Sequence, residues 1–431
     1  MQSDKSLCAL YNYLNNSDVK NREYYDLLRY VLDQKIYFFG GNFKNPHERK
    51  ISFRDKLKEK AITLTFAYFL KFNSKGKKSI NKIKIWSSAY FNVSDKFDGQ
   101  EYLISPPPWI ISKSFTQLSD HLLFKKVRSL QLKLIYADVK DLLTEHFFNE
   151  INEVKSAMKN FIIQKDIRAL FLPNDLGFFE KLSIQIFKEL DRPSFLLNHG
   201  LPGIYGSRDD NRTDYLVVWG EAIKQNYVNA GVNPDKILVN GHPKYNTTKI
   251  GNLKFDFDDI LVLPKPLPGA PLGDTYSLSD RGNCIYYLLS LQNVLKKFGV
   301  SKVRLRPHPS ENVDWYLKHL DNDFFFADMD DLETSLKRSS LVIGVTSTAF
   351  FEALLFGINY VVFEPRLENG NGLDNYTVVS PFDGNNRKVP SAKNEEELLE
   401  ILQQKAKVDV SVLTDYINPY FDPKLILDKI K

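Results

Sequence analysis

Residues 341–364 read LVIGVTSTAFFEALLFGINYVVFE. An apolar run, LVIGV (341–345), ends in three hydroxyl residues. A helical stretch with Phe and Leu on one side follows, and Gly357 closes it before a second apolar run, NYVVFE (359–364). Short apolar runs bounded by turn residues read as strands buried on both faces, and a helix between two of them implies parallel pairing. Outward from this unit the rhythm continues through IRALFLP (167–173), SFLLNH (194–199), YLVVWG (215–220), KILVNG (236–241), ILVLP (260–264) and KVRLRP (302–307). SLCALY (6–11) and KIYFFG (35–40) read as two further strands. Helical stretches fall at 178–190, 221–230, 284–298, 331–338 and 348–356. Residues 85–135, with Pro106-Pro107-Pro108, read as less regular.

The alternation breaks at 243–259, PKYNTTKIGNLKFDFDD, and then restarts. A chain of 431 residues exceeds one ordinary core. The expectation is α/β, with two doubly wound Rossmann-like domains facing a cleft. The first spans 1–248, the second 249–411, and 412–431 packs back on the first. In such sheets ligands lie at the carboxyl ends of the strands.

Composition removes several classes. The chain is 43% hydrophobic and 26% charged, with a formal net charge of +5, as in soluble globular proteins. Cys8 and Cys284 are too far apart in sequence to suggest a disulfide framework or metal spacing, which fits a reducing compartment. The first residues lack the pattern of a signal peptide, and no apolar stretch is long enough to span a bilayer. The expected location is cytoplasmic. Residues 49–84 hold twelve Lys/Arg against Asp55 and Glu59 and contain AITLTFAYFL (61–70). That segment reads first as a core helix with a solvated basic flank, and a surface lying on the inner face of an anionic membrane is the alternative. No nucleic-acid-binding motif is present, and the P-loop, G-x-G-x-x-G, H-E-x-x-H and C-x-x-C patterns are all missing.

Several strand ends carry chemistry. Arg304-Leu305-Arg306-Pro307-His308-Pro309 closes a strand, and its prolines restrict the backbone around His308. Arg306 and His308 suit phosphate oxygens. Thr346, Ser347 and Thr348 precede a helix, where hydroxyls cap the helix and free N–H groups attract anions; the two uses are compatible. Glu352, in the first turn, suits ribose hydroxyls and also the helix dipole. In the first domain Asn198-His199-Gly200-Leu201-Pro202-Gly203, Asn174-Asp175 and Gly241-His242-Pro243 follow successive strands, so Asn198, Gly200 and His242 are read as cleft wall. Asp328-Met329-Asp330 has the spacing of a metal motif but reads as a helix N-terminus, and no metal site is expected.

The order N-H-G-L-P, D-Y-L-V-V-W-G-E, G-H-P-K-Y-N, R-P-H-P and T-S-T-A-F-F-E-A-L resembles GT-B glycosyltransferases of bacterial surface polysaccharides that carry an His-Pro motif and a following Ser/Thr pair. Kdo transferases, bacterial sialyltransferases and CDP-glycerol glycerophosphotransferases are similar in this respect. The resemblance covers about 165–365. It implies that His308, Pro309, Ser347 and Thr348 hold the donor phosphate. It also implies a nucleotide-sugar donor, CMP-Kdo or another CMP-ulosonic acid, in the second domain, with no cofactor or metal required. The acceptor is then a glycan of lipopolysaccharide or capsule, with linkage to a lipid left open. The acidic sugar needs only a stabilised leaving phosphate. Candidates for the group acting on the acceptor or the sugar are Asp175, His199 and Asp274, with Asp209-Asp210 nearby. A polyol-phosphate transferase, a UDP-sugar enzyme, a nucleotide-sugar 2-epimerase and a non-catalytic glycan-binding module stay open beside this reading.

Overall fold

The computed structural model describes residues 2–16, 22–39, 53–73, 82–90, 93, 96–97, 102–111, 120–198, 200–202, 205–206, 212–245, 251–264, 278–308, 311, 313–373 and 376–430. Three helices come first: α1 (Gln2–Asn16), α2 (Arg22–Phe39) and α3 (Phe53–Asn73). The first sheet is then built from β1 (Ile83–Ser87), β2 (Tyr102–Ser105), β3 (Ile167–Leu172), β4 (Ser194–Leu197), β5 (Tyr215–Val218) and β6 (Ile237–Val239). Its helices are α4 (His121–Tyr136), α5 (Val139–Leu142), α6 (Glu145–Lys165), α7 (Phe178–Glu189) and α8 (Glu221–Asn229). The second sheet contains β7 (Ile260–Leu263), β8 (Val303–Leu305), β9 (Phe325–Ala327), β10 (Leu341–Gly344), β11 (Tyr360–Phe363) and β12 (Ser391–Ala392). Around it lie α9 (Leu278–Lys297), α10 (Val313–Leu317), α11 (Leu332–Arg338), α12 (Ala349–Leu355) and α13 (Glu395–Gln403). Two short helices, α14 (Val412–Tyr416) and α15 (Pro423–Leu427), follow.

Both sheets have six strands, ordered β2-β1-β3-β4-β5-β6 and β12-β11-β10-β7-β8-β9, and every neighbouring pair is parallel. Numbered within itself, the second is the 3-2-1-4-5-6 order of a doubly wound dinucleotide fold, with its switch point between β7 and β10. The first reverses direction between β1 and β3. Strands β4, β7, β10 and β11 are buried along their whole length, because helices cover both faces. The chain is therefore the α/β, two-domain, doubly wound protein its strand rhythm predicts.

The N-terminal third departs from that rhythm. Residues 6–11 lie in α1 and 35–39 form the end of α2, so neither is a strand. In α2, Leu28 and Leu32 are buried four residues apart and Lys35 follows on the same side, a helical spacing. A six-residue apolar window cannot separate helix from strand, and here the longer period wins. The stretch read as irregular supplies part of β1, all of β2 and most of α4. Of 243–259, residues 251–259 already belong to the second domain. Leu253 and Phe255 are buried there, and Lys254 exchanges backbone hydrogen bonds with Gly357 and Asn359.

After α13 the chain returns to the first domain. Asn418 N–H donates to the Trp219 carbonyl at 2.7 Å, Asn240 and Asp422 bond reciprocally, and Ile426 is buried against the first sheet. Between the domains runs an apolar seam that includes Val218 and Trp219 from one side, Leu263, Phe350 and Phe351 from the other, and Tyr416 from the returning segment.

Candidate functional site

The carboxyl edges of the two sheets meet. Leu201 N–H, just after β4, donates to Thr348 Oγ1, just after β10, at 3.0 Å. Gly200 lies so close that an added Cβ would stand 3.0 Å from the same oxygen, which is why a residue without a side chain suits this position. Further along the seam, Tyr245 donates its hydroxyl to Glu352 Oε1 on α12 at 2.6 Å. A two-domain α/β protein whose doubly wound sheets face each other by their carboxyl edges is of the GT-B type.

The 345–348 turn is held from beneath. Tyr360 donates its hydroxyl to the Val345 carbonyl at 2.7 Å. Gly344 makes room for it, since a Cβ there would run into that hydroxyl and the Leu263 carbonyl. The buried Glu364 carboxylate accepts the Thr346 N–H at 2.9 Å and the Tyr376 hydroxyl. Thr346 therefore commits its amide to Glu364 and keeps its side chain. Thr346 Oγ1 is buried with no hydrogen-bond partner among the described residues. Ser347 Oγ accepts from Ala349 N–H at 3.2 Å, and Thr348 Oγ1 accepts from Leu201. A hydroxyl that accepts still has its own proton to donate. The turn thus carries three hydroxyls beside the β7–β10 switch point, of which Thr346 Oγ1 is buried.

His308 follows β8, which is not the neighbour of β10: β7 lies between them. At roughly 4.8 Å per strand, the two turns stand about 10 Å apart, on either side of the β7 end. The imidazole of His308 is exposed, and its backbone N–H is received by Glu311 Oε2 at 3.2 Å. Arg306 points elsewhere: its guanidinium donates to the Asp330 carbonyl and lies 3.9 Å from Asp328. Asp328 is bound by the buried Arg304 at 2.6 Å, Asp330 pairs with Arg338 at 2.7 Å, and the N-cap of α11 is Asp331. This aspartate pair closes β9 and neutralises arginines. Among the described residues no group of three His, Cys, Asp or Glu is placed to hold a metal.

In the first domain Asp175 is 1% exposed. Its carboxylate accepts from the Arg212 guanidinium and from Thr213 N–H and Oγ1 at 3.3 and 3.2 Å. Asp175 therefore ties the turn after β3 to the turn before β5. Asn198 receives the Trp219 indole N–H on its carbonyl at 2.8 Å, while its Nδ2 is buried with no partner among the described residues. His242 stacks on Tyr245, with centroids 3.7 Å apart, and meets Trp219 edge-on. Its Nδ1 accepts from Lys244 N–H at 3.1 Å, so the neutral ring carries its proton on Nε2. Burial first, and Lys244 second, hold its pKa down to about 3. His199, Gly203, Asp209, Asp210, Asp274 and Pro309 lie outside the described residues.

Four contributors escape a reading of strand ends. Glu364 and Tyr245 act through partners far along the chain, and Arg212 reaches Asp175 across 37 residues. Glu180, in the first turn of α7 beyond β3, has its carboxyl raised above the usual range by burial, and further by the charge of Asp175. The sequence signal for it was Asn174-Asp175-Leu176-Gly177, a helix entry where Asn174 Oδ1 accepts from Gly177 N–H at 3.3 Å.

No protein-family model matches the chain. No curated protein matches it either. Among solved structures it is similar to the Methanocaldococcus jannaschii UDP-GlcNAc 2-epimerase bound to UDP-GlcNAc and UDP, at 11% identity and TM-score 0.43, covering 80% of this chain and 99% of that one. It is similar to a wall teichoic acid polymerase at 12% identity and TM-score 0.40, covering 88% and 95%. It is similar to an apo lipopolysaccharide outer core galactosyltransferase at 7% identity and TM-score 0.40, covering 86% and 95%. At these values the functional reading stands on this chain's own residues.

Proposed function

We propose that the chain is a glycosyltransferase that moves a sugar from a nucleotide-activated donor to a glycan acceptor, and that the donor is a CMP-activated ulosonic acid of the Kdo type. One observation supports this above the rest: the hydroxyl-rich turn Thr346–Thr348 lies at the switch point of the second sheet and at the same time touches the carboxyl edge of the first. A donor bound there faces the other domain, where an acceptor belongs. The donor class comes from the His-Pro and Ser/Thr resemblance.

The chemistry follows from charge. Breaking the anomeric bond leaves negative charge on the departing phosphate, and fixed donors aimed at it lower the barrier. The hydroxyls of Thr346, Ser347 and Thr348 approach a phosphate over the β7 end from one side, and His308 approaches it from the other. Thr346 Oγ1 and Asn198 Nδ2 are buried with no partner among the described residues, a state that costs about 1–3 kcal/mol each and favours a polar partner at the turn. The acceptor hydroxyl needs a base. The Asp175 carboxylate is already engaged, which leaves His199, next to Asn198 in sequence, and Asp274, in the segment after β7, as the candidates to vary.

Calorimetric titration of CMP, CDP and UDP into the wild type, His308→Ala and Thr346→Val tests this. The expected result is binding of CMP that weakens at least tenfold in either variant. Preference for UDP or CDP replaces the donor class, and no binding of any of the three overturns the transferase reading.

A further inference from the structure

The groove between α3 and α4 is remote in sequence from every residue of the nucleotide site. It encloses about 550 Å³ and is lined by Leu57, Lys60, Leu64, Lys125, Arg128 and Leu132, among others. One side of α3 is packed: Ala67 and Leu70 are buried with Phe124 of α4. The other side is just as apolar and open. Leu64 is 60% exposed and Tyr68 65%, with Leu57 and Phe69 also exposed, and Leu122 extends the surface onto α4. A helix on a soluble domain ordinarily turns one apolar stripe inward and a polar face outward. This one is apolar on both.

The charge around the groove is one-sided. Residues 53–73 and 121–136 carry nine Lys/Arg, five and four respectively, against Asp55 and Glu59. Glu59 is paired with the buried Arg128 and Lys133 with Glu150 of α6, so the exposed cations lining the groove are Lys60 and Lys125. Few occupants offer hydrocarbon and negative charge side by side. A soluble acidic partner satisfies the lysines but leaves Leu64 and Tyr68 wet; an apolar partner buries the lysines unpaired. The boundary between headgroups and acyl chains of an anionic bilayer satisfies both within a depth of about 5–10 Å. Lys60 and Lys125 are long enough to keep their charges among phosphates while their stems lie along the apolar floor. Among the described residues no helix is long and apolar enough to cross a membrane, so the contact is one of lying on the surface.

We infer that α3 and α4 form a docking surface for an anionic phospholipid bilayer, with the groove between them receiving an acyl chain and the exposed Lys60 and Lys125 facing the headgroup phosphates. The inference does not depend on the identity of the donor. It places the first domain against the membrane face.

The test is flotation of the full chain with vesicles of phosphatidylcholine alone and of phosphatidylcholine with one third phosphatidylglycerol. The wild type should float with the second kind only, and less so as salt rises. Each basic residue near such a surface contributes about fivefold, so Lys60→Ala with Lys125→Ala should lower the partition roughly 25-fold. Leu64→Asp should abolish flotation, whereas Met329→Asp, at an 80% exposed apolar position in the second domain, should leave it intact. Unfolding midpoints and CMP titration of each variant separate loss of docking from loss of fold or of the donor site. Equal flotation on both vesicles, flotation unchanged in the α3 and α4 variants, or none at low salt overturns the inference. So does a wild-type dimer that Leu64→Asp turns into monomer, because the patch is then covered by a second copy.

Discussion

Acidification should act on the seam through His242. The ring is buried between Trp219 and Tyr245, and its Nδ1 faces the N–H of Lys244. A second proton must go on Nδ1, where it meets that N–H, and the charge is then stranded in an apolar stack. Burial of the charge, and after it the positive charge of Lys244, move the pKa from 6.5 to about 3. The sign is fixed by which state binds the proton. Between about pH 3 and 6.5 the unfolded chain takes up a proton that the folded chain refuses. Stability is therefore unaffected by this group above pH 6.5 and falls as pH drops below it. At about 1.4 kcal/mol per unit, the loss at pH 5 is about 2 kcal/mol. Urea unfolding of the wild type and of His242→Gln at pH 7.5, 6 and 5 reads it directly. The variant is less stable at neutral pH, since it loses the stack, but its curve is flatter. The wild type should lose about 2 kcal/mol more than the variant between pH 7.5 and 5. Parallel curves would show that the folded ring accepts its proton freely, and the account of the seam given above would be wrong.

Two further outcomes follow from buried charge. Arg304 is bound to Asp259 and Asp328 at 2.6 Å each and to Ser339 at 2.8 Å, so Arg304→Ala strips the buried Asp328 of its nearest cation and leaves it the more distant Arg338 and Arg306 at 3.7 and 3.9 Å. Chemical denaturation should show a loss of about 3–5 kcal/mol, with Arg304→Lys intermediate. Glu180 has the opposite pH sense to His242. Its folded pKa is raised, so its penalty is absent below the unfolded carboxylate range and grows as pH rises through that range to the folded value. Glu180→Gln should therefore raise the melting temperature at pH 7 and leave it unchanged at pH 4; an equal shift at both would refute burial as the cause.

Much of the fold was legible because strands β3, β4, β5, β7, β8, β10 and β11 are buried along all or most of their length and so read as continuous apolar runs, and the edge strand β6, though partly exposed, is ILV throughout. Strands β1, β2, β9 and β12 did not stand out: IKIWS and YLIS mix polar and apolar residues, β9 is three residues long and β12 two. Helices α1 and α2 are rich in Tyr, Phe and Leu, which imitates strands over any short window. Of the site, Thr346–Thr348, Asn198 and Gly200 were visible because their position after a strand is a local property. What Asp175 and Arg306 do was not, since it is decided by Arg212 and by Asp330, whose positions only the folded chain reveals.

The return of residues 412–430 to the first sheet gives the second domain the status of an insertion. The first domain opens the chain, is interrupted, and is completed by Ile426 and by the Asn418 and Asp422 bonds to Trp219 and Asn240. On a ribosome adding about 5–20 residues per second, the interruption lasts on the order of ten to forty seconds. Throughout that interval Trp219, Asn240 and the underside of β5 lack their cover, while the intervening domain can already close on itself. The domain begun first is finished last.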